Sequence, residues 1–194
     1  IPSVHGMTVG ELALLFNQEF GINARLVVVP MKGWEGRMQW EDTGLPWFRP
    51  SPSIPSPEAA QLHAATGMLE GANLDVGGSA VPFKTVSAPW LRGERLAARL
   101  NATGLPGVRF EAITIGTHER SVSSDGVRLI LTDTRRFQPA TTALHILSAV
   151  QTLHPERLRF AMNSGRHTLD LVWGTDTVRK GLERGEPPDR IAAR

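Results

Sequence analysis

The sequence predicts an α+β chain: the end of an α/β layer, followed by a mixed α+β carboxy-terminal domain. Three observations carry this prediction. A helical pattern near the start runs directly into a continuous apolar stretch, "ARLVVVP" (24–30), which is the rhythm of a buried parallel layer. From residue 57 onward helix and strand patterns mix without strict alternation. Between them "DTGLPWFRPSPSIP" (42–55) crowds four prolines, Trp47 and Phe48 into a segment that can be neither helix nor strand.

Each element has a local reason. Thr8 and Glu11 form a capping box, Val9, Leu12, Ala13, Phe16 and Phe20 recur at helical spacing, and Gly21 stops the run. "ARLVVVP" is expected to be a buried strand ended by Pro30, whose pairing partners would lie upstream of Ile1. The proline segment carries too many aromatics for a floppy linker. It is therefore expected to be ordered, with Trp47 at least half buried and a tight turn at Pro50-Ser51-Pro52. Ser56 caps the next helix, with Pro57 at its first position and Glu58 in its first turn, running to about Ala65. "LEGANLDVGGSAVPF" (69–83) reads as a glycine-rich loop and residues 91–102 as a short arginine-rich helix. "VRFEAITIG" (108–116) and "DGVRLILTD" (125–133) read as strands, with an Asp-Gly turn heading the second. Ala143, Ile146, Leu147, Val150 and Leu153 mark the core face of a helix from about 140 to 153. Gly185 closes a short helix in "TDTVRKGLERG", and "PPDRIAAR" reads as one more helix just begun. The domain boundary is expected in the proline segment, giving units 1–56 and 57–194.

The bulk composition excludes several function classes. At 194 residues with 41% hydrophobic content the chain can bury a real core. Its formal charge is +2, the only lysines are Lys32, Lys84 and Lys180, and basic residues are scattered without a run of five. No nucleic-acid partner is expected from that pattern. The absence of cysteine removes disulfides and thiolate metal sites. No apolar run approaches the roughly 18 residues that span a bilayer, so no membrane span is expected. The six histidines lack metal-ligand spacing, and "GANLDVGG" lacks the Lys and Ser/Thr of a phosphate-cradling loop, so neither a metal nor another cofactor is expected. The opening "IPSVHGMTVGE" has neither an initiator Met nor a signal peptide and fits a mature chain or a fragment; the far end "PPDRIAAR", a helix just begun, favours a fragment.

Six stretches together resemble the NamZ-like exo-β-N-acetylmuramidases, bacterial glycosidases that act on peptidoglycan fragments. They are "HGMTVGELALLFN" (5–17), "VVVPMKGWEGRMQWEDTGLPWFRPSPSIP" (27–55), "LEGAN" (69–73), "PF" with "APW" (82–83 and 88–90), "GVRLILTD" (126–133) and "DLVWGTDTVRKGLERG" (170–185), all in family order. The resemblance implies that residues 1–56 end a Rossmann-like domain and that the chain is the later half of a two-domain hydrolase. It also implies a missing amino-terminal domain that carries an acidic residue and faces this half across the active site. Muramyl saccharides derived from peptidoglycan would be the substrates, and the location periplasmic or extracellular in a bacterium, with a lipoprotein anchor left open.

Candidate residues follow from the resemblance and from their own chemistry. His5, in the family's HGMT motif, could donate to a substrate hydroxyl or bond its own loop. Trp34, Trp40 and Trp47 could offer flat faces to a sugar ring, or glue the proline segment down. Arg37, in "GWEGR", could bind the lactyl carboxylate that distinguishes N-acetylmuramic acid from N-acetylglucosamine, since a planar guanidinium gives two parallel donors; it could equally be a surface arginine. Ser51 could donate to sugar or fix the turn. Glu70 and Asn73 stand in the family's E-G-T-N position. Glycoside hydrolysis usually takes two carboxyl groups, and Glu70 is the acidic candidate here, alongside His5; otherwise it shapes the loop by accepting backbone N–H groups. Asn73 could orient an acetamido group or the loop. Departures from the family pattern lie at Val76 and Gly78, where a carboxylate and an arginine are expected, at Ser53 for an Asn, and across "LHAATG" (62–67). Such departures point to a shifted substrate preference or to decayed activity; the altered glycine-rich loop, with the missing half, favours the alternative function, a non-catalytic carbohydrate- or peptidoglycan-binding module.

Overall fold

A computed structural model describes residues 5–77, 82–115 and 123–193. Gly78, one of the sequence departures, lies outside the described residues. The chain forms two compact units, residues 1–48 and 49–194.

In the first unit, helix α1 spans Val9–Glu19, and both halves of the capping box form between Thr8 and Glu11. Asn17 brackets the return of the chain: its amide donates to the Ala24 carbonyl (3.1 Å) and accepts from the Ala24 N–H (2.8 Å). The stretch that follows corrects the expected buried strand. Residues 24–30 enter no ladder, and Val27 and Val29 are about 85% exposed while Leu26 and Val28 are less than half as exposed. That period of two is the signature of extended chain with one covered face. It lies along α1, where Gly10 lets Val28 approach: a Cβ on Gly10 would overlap the Val28 side chain. No described strand supplies the neighbour that would make it a buried strand. A 3-10 turn at Trp40–Thr43 leads into the proline segment.

In the second unit, α2 (Pro57–Thr66) starts where expected, with the Ser56 hydroxyl accepting from the Ala59 N–H. Four antiparallel strands, β1 (Asp75–Val76), β2 (Thr85–Ala88), β3 (Val108–Ile115) and β4 (Ser124–Leu131), form a sheet in the order β1-β2-β4-β3. The fold is thus mixed α+β. Helix α3 (Gly93–Asn101) packs on β3 and β4 through Leu96, Ala97 and Leu100, and α4 (Pro139–Leu153) buries Ala143, Ile146, Leu147 and Val150 as its spacing predicts. A two-residue hairpin, β5 (Met162–Asn163) and β6 (Arg166–His167), precedes α5 (Thr168–Trp173), α6 (Thr177–Glu183) and α7 (Pro188–Ala192).

Two readings change here. Asp125 and Gly126 do not turn; they sit inside β4, opposite Thr114 and Ile113. Gly126 is needed for close approach, because a Cβ there would overlap the Val86 carbonyl, and one on Gly93 would overlap the Gly126 carbonyl. The pair of glycines lets the start of α3 sit against the sheet. Within "LEGANLDVGGSAVPF" the described part is also less loop-like than expected, since Asp75 and Val76 pair with Ser87 and Val86.

Candidate functional site

Five predicted residues lie in the first unit. A mutual close approach of two glycines brings the "HG" and "GWEGR" segments together. A Cβ on Gly6 would lie 3.2 Å from the Gly36 carbonyl oxygen, and one on Gly36 would lie 3.1 Å from that of Gly6. His5 and Arg37 are therefore carried on adjoining segments. The His5 Nδ1 accepts the Met7 N–H (3.0 Å), so the neutral ring carries its proton on Nε2. The loop bond and a donor for another group thus coexist on one imidazole.

Arg37 is 83% exposed at its side chain, and its Nε donates to Glu35 (2.7 Å). Trp34 borders an apolar cavity of about 600 Å³ with Met7, Val9, Ala13, Val28 and Met31. Trp40 and Trp47 meet edge to face, centroids 5.1 Å apart at 84°, and the Trp40 indole donates to the Leu45 carbonyl (3.1 Å). These two half-buried rings hold the proline segment by offsetting its ordering cost through aromatic burial. Trp40 therefore has its N–H committed to the loop.

In the second unit, the turn of the proline segment falls one residue later than expected. The Ile54 N–H donates to the Ser51 carbonyl (3.0 Å) and the Ser53 N–H to the Ser51 hydroxyl (3.3 Å), so Ser51 fixes the turn.

The "LEGAN" segment is held at several points by residues 157–173. The Asn73 amide donates to the Arg157 carbonyl (3.0 Å) and accepts from the Arg159 N–H (2.8 Å). The Ala161 N–H donates to the Gly71 carbonyl (2.6 Å), and the Trp173 indole to the Met68 carbonyl (2.9 Å). Gly71, at φ +91°, fits because a Cβ would lie 2.6 Å from the Leu169 nitrogen. At the crest stands Glu70, exposed, whose carboxylate makes no hydrogen bond or ion pair among the described residues. Asn73 thus orients the loop, and Glu70 does not shape it by accepting backbone N–H groups. A rigid loop presenting one unengaged carboxylate can exchange a proton with, or place negative charge beside, a bound molecule.

One supporting pair was not singled out from the sequence. Arg179 makes a fork to Asp170 (2.9, 3.1 and 2.9 Å) and reaches Glu183 (3.1 Å), and these bonds hold its guanidinium well above its usual value. It clamps α5 to α6. The i,i+4 spacing of Arg179 and Glu183 was legible; the partner nine residues back is set by the turn between the helices. Val76, where a carboxylate was expected, is packed against the core.

Glu70 thus stands exposed on a loop of the α+β unit. The family models agree with the sequence motifs. Residues 1–58 match "Exo-beta-N-acetylmuramidase NamZ, N-terminal" and residues 61–194 match "Exo-beta-N-acetylmuramidase NamZ, C-terminal". The chain belongs to the NamZ family. It is 38% identical over 196 aligned positions to the peptidoglycan beta-N-acetylmuramidase NamZ of Bacillus subtilis (strain 168), covering 98% of this chain and 46% of that protein. It is also similar to a solved DUF1343 family protein from Bacteroides fragilis, with TM-score 0.82 and 30% identity over 94% of this chain and 50% of that one. The chain spans about half the length of the relatives it matches.

Proposed function

We propose that this chain forms one wall of the active site of an exo-β-N-acetylmuramidase that releases terminal N-acetylmuramic acid from peptidoglycan fragments. The observation that carries the proposal is Glu70: a carboxylate held on a fixed loop with no partner among the described residues, in a family whose Bacillus subtilis member is named for this activity. In this reading Glu70 serves as acid/base or charge-stabilising carboxylate, and the His5 Nε2–H donates to a substrate hydroxyl. Arg37 takes the lactyl carboxylate, and an indole face such as Trp34 stacks on the sugar. A second carboxyl group belongs to the amino-terminal portion that the longer relatives possess. In the same reading the enzyme acts in the periplasm or outside the cell, where peptidoglycan is built and broken.

Val76 favours a second reading, a peptidoglycan-binding module without turnover, because an apolar side chain occupies a position where the family resemblance calls for a carboxylate. The test is release of a chromogenic aglycone from an N-acetylmuramyl glycoside, by the 194-residue chain and by the chain joined to that amino-terminal portion. The chain alone is expected to stay near background. The joined protein is expected to turn over, and Glu70→Gln to lower its rate by about 10²–10⁴-fold, the usual share of general acid–base help. Turnover by the chain alone that Glu70→Gln abolishes refutes the two-walled arrangement. A joined protein that binds but never cleaves supports the module.

A further inference from the structure

We propose that Arg92, Arg95 and His154, with Arg157 close to the imidazole, form a binding site for a small oxyanion, a phosphate or carboxylate group, on the carboxy-terminal domain. The site stands independently of the muramidase reading. A cavity of about 200 Å³ is lined by Arg92, Arg95, Leu153 and His154. Arg92 is the N-cap of α3 and Arg95 lies in its first turn; His154 is the C-cap of α4, and Arg157 follows in the next turn, its N–H donating to the His154 carbonyl (3.0 Å). None of the three guanidiniums has a hydrogen-bond or ion-pair partner among the described residues.

Two cations on one small cavity, unpaired among the described residues, need a reason. The negative end of α4 could collect them, but that role would show as guanidinium bonds to its last carbonyls, and none is made. Glu94 and Asp125 border the neighbouring cavity, yet neither pairs with Arg92 or Arg95, and Asp125 accepts instead from the Thr114 hydroxyl (2.7 Å).

His154 supplies the second, separate observation. Its Nε2 is buried and has no hydrogen-bond partner among the described residues. Its pKa is lowered by burial first, then by Arg92, Arg95 and Arg157. The edge of Trp90 packs on its ring, centroids 5.4 Å apart at 67°, in the "APW" segment to which the muramidase reading gives no task. An oxyanion here would neutralise the guanidiniums that face the imidazole. Arginine forks suit either planar carboxylate or tetrahedral phosphate, and the open first turn of α3, where Arg92 provides no side-chain cap, adds favourable dipole.

The experiment is an NMR titration of the imidazole resonances of the 194-residue chain with sodium phosphate, and separately with sodium acetate, at constant ionic strength. Saturable shifts of His154, with the other histidines as references, are expected. Arg95→Gln and Arg92→Gln should each weaken binding by about tenfold or more, the loss of one charge-assisted hydrogen bond, with unchanged thermal midpoints because both side chains are exposed. Tighter phosphate assigns a phosphate-bearing ligand, and tighter acetate a carboxylate-bearing one. No saturable His154 shift with either anion, or saturation that both variants leave intact, overturns the proposal.

Discussion

Replacing Gly71 with Ala tests whether the loop under Glu70 is as rigidly seated as its contacts indicate. Two costs add. At φ +91° a residue with a Cβ is strained by about 1–2 kcal/mol. The new methyl would also lie 2.6 Å from the Leu169 nitrogen and 2.8 Å from the Thr168 Cβ. Backbone cannot rotate away as a flexible side chain can, so an overpacking cost of about 1–3 kcal/mol applies. The sum, about 2–5 kcal/mol, corresponds to a fall in Tm of roughly 4–20 °C at a sensitivity of about 2–4 °C per kcal/mol for a domain near this size. Gly165→Ala is the control: its φ is +77°, but nothing lies within 4 Å of the added carbon, so it carries the dihedral cost alone. Thermal melts of both variants, with hydrogen exchange at the Ala161 amide that donates to Gly71, provide the readout. Faster exchange at Ala161 and a larger loss for Gly71→Ala are expected. Equal losses for both glycines would show that the loop yields to the methyl, and a rigid seat for Glu70 would be refuted.

Other outcomes follow from the same contacts. On the proposed function, Arg37→Ala in the chain joined to its amino-terminal portion is expected to lose about tenfold or more for N-acetylmuramic glycosides and little for N-acetylglucosamine ones; equal losses, read as kcat/KM on the two glycosides, would make Arg37 structural. Asp170→Ala leaves a largely buried guanidinium with only Glu183, and urea unfolding should show a loss of about 2–4 kcal/mol, with Asp170→Asn milder. His154 titrates below its unfolded value, so the unfolded chain binds more protons as pH falls through that range. Stability contributed by neutral His154 is therefore present above the unfolded pKa and declines as pH drops from there toward the lower folded pKa. His154→Gln should flatten that part of a Tm–pH profile recorded without phosphate; an unchanged slope would rule the effect out.

What the sequence by itself determined is local. Thr8 with Glu11, Ser56 with Pro57, and the Ala143–Val150 stripe set three helices because caps and period act within a few residues of chain. The proline segment was legible as ordered for the same reason, since its aromatics and turn residues sit inside it. The six motifs also pointed to the family. What tertiary structure decided is partnership over distance. "ARLVVVP" has strand-forming residues, yet a strand exists only when another backbone pairs with it, and no described residues do so. Strand β2, buried at all four positions, offers no alternation to read. The Asp-Gly of β4 carries turn chemistry in sequence and a packing role in space, because α3 comes to rest on it. Of the site, Glu70 and Asn73 were legible as candidates. That Asn73 spends its amide on the Arg157 and Arg159 backbone while Glu70 stays unengaged depends on segments about 85 residues apart meeting in space, and side-chain chemistry alone does not encode that meeting.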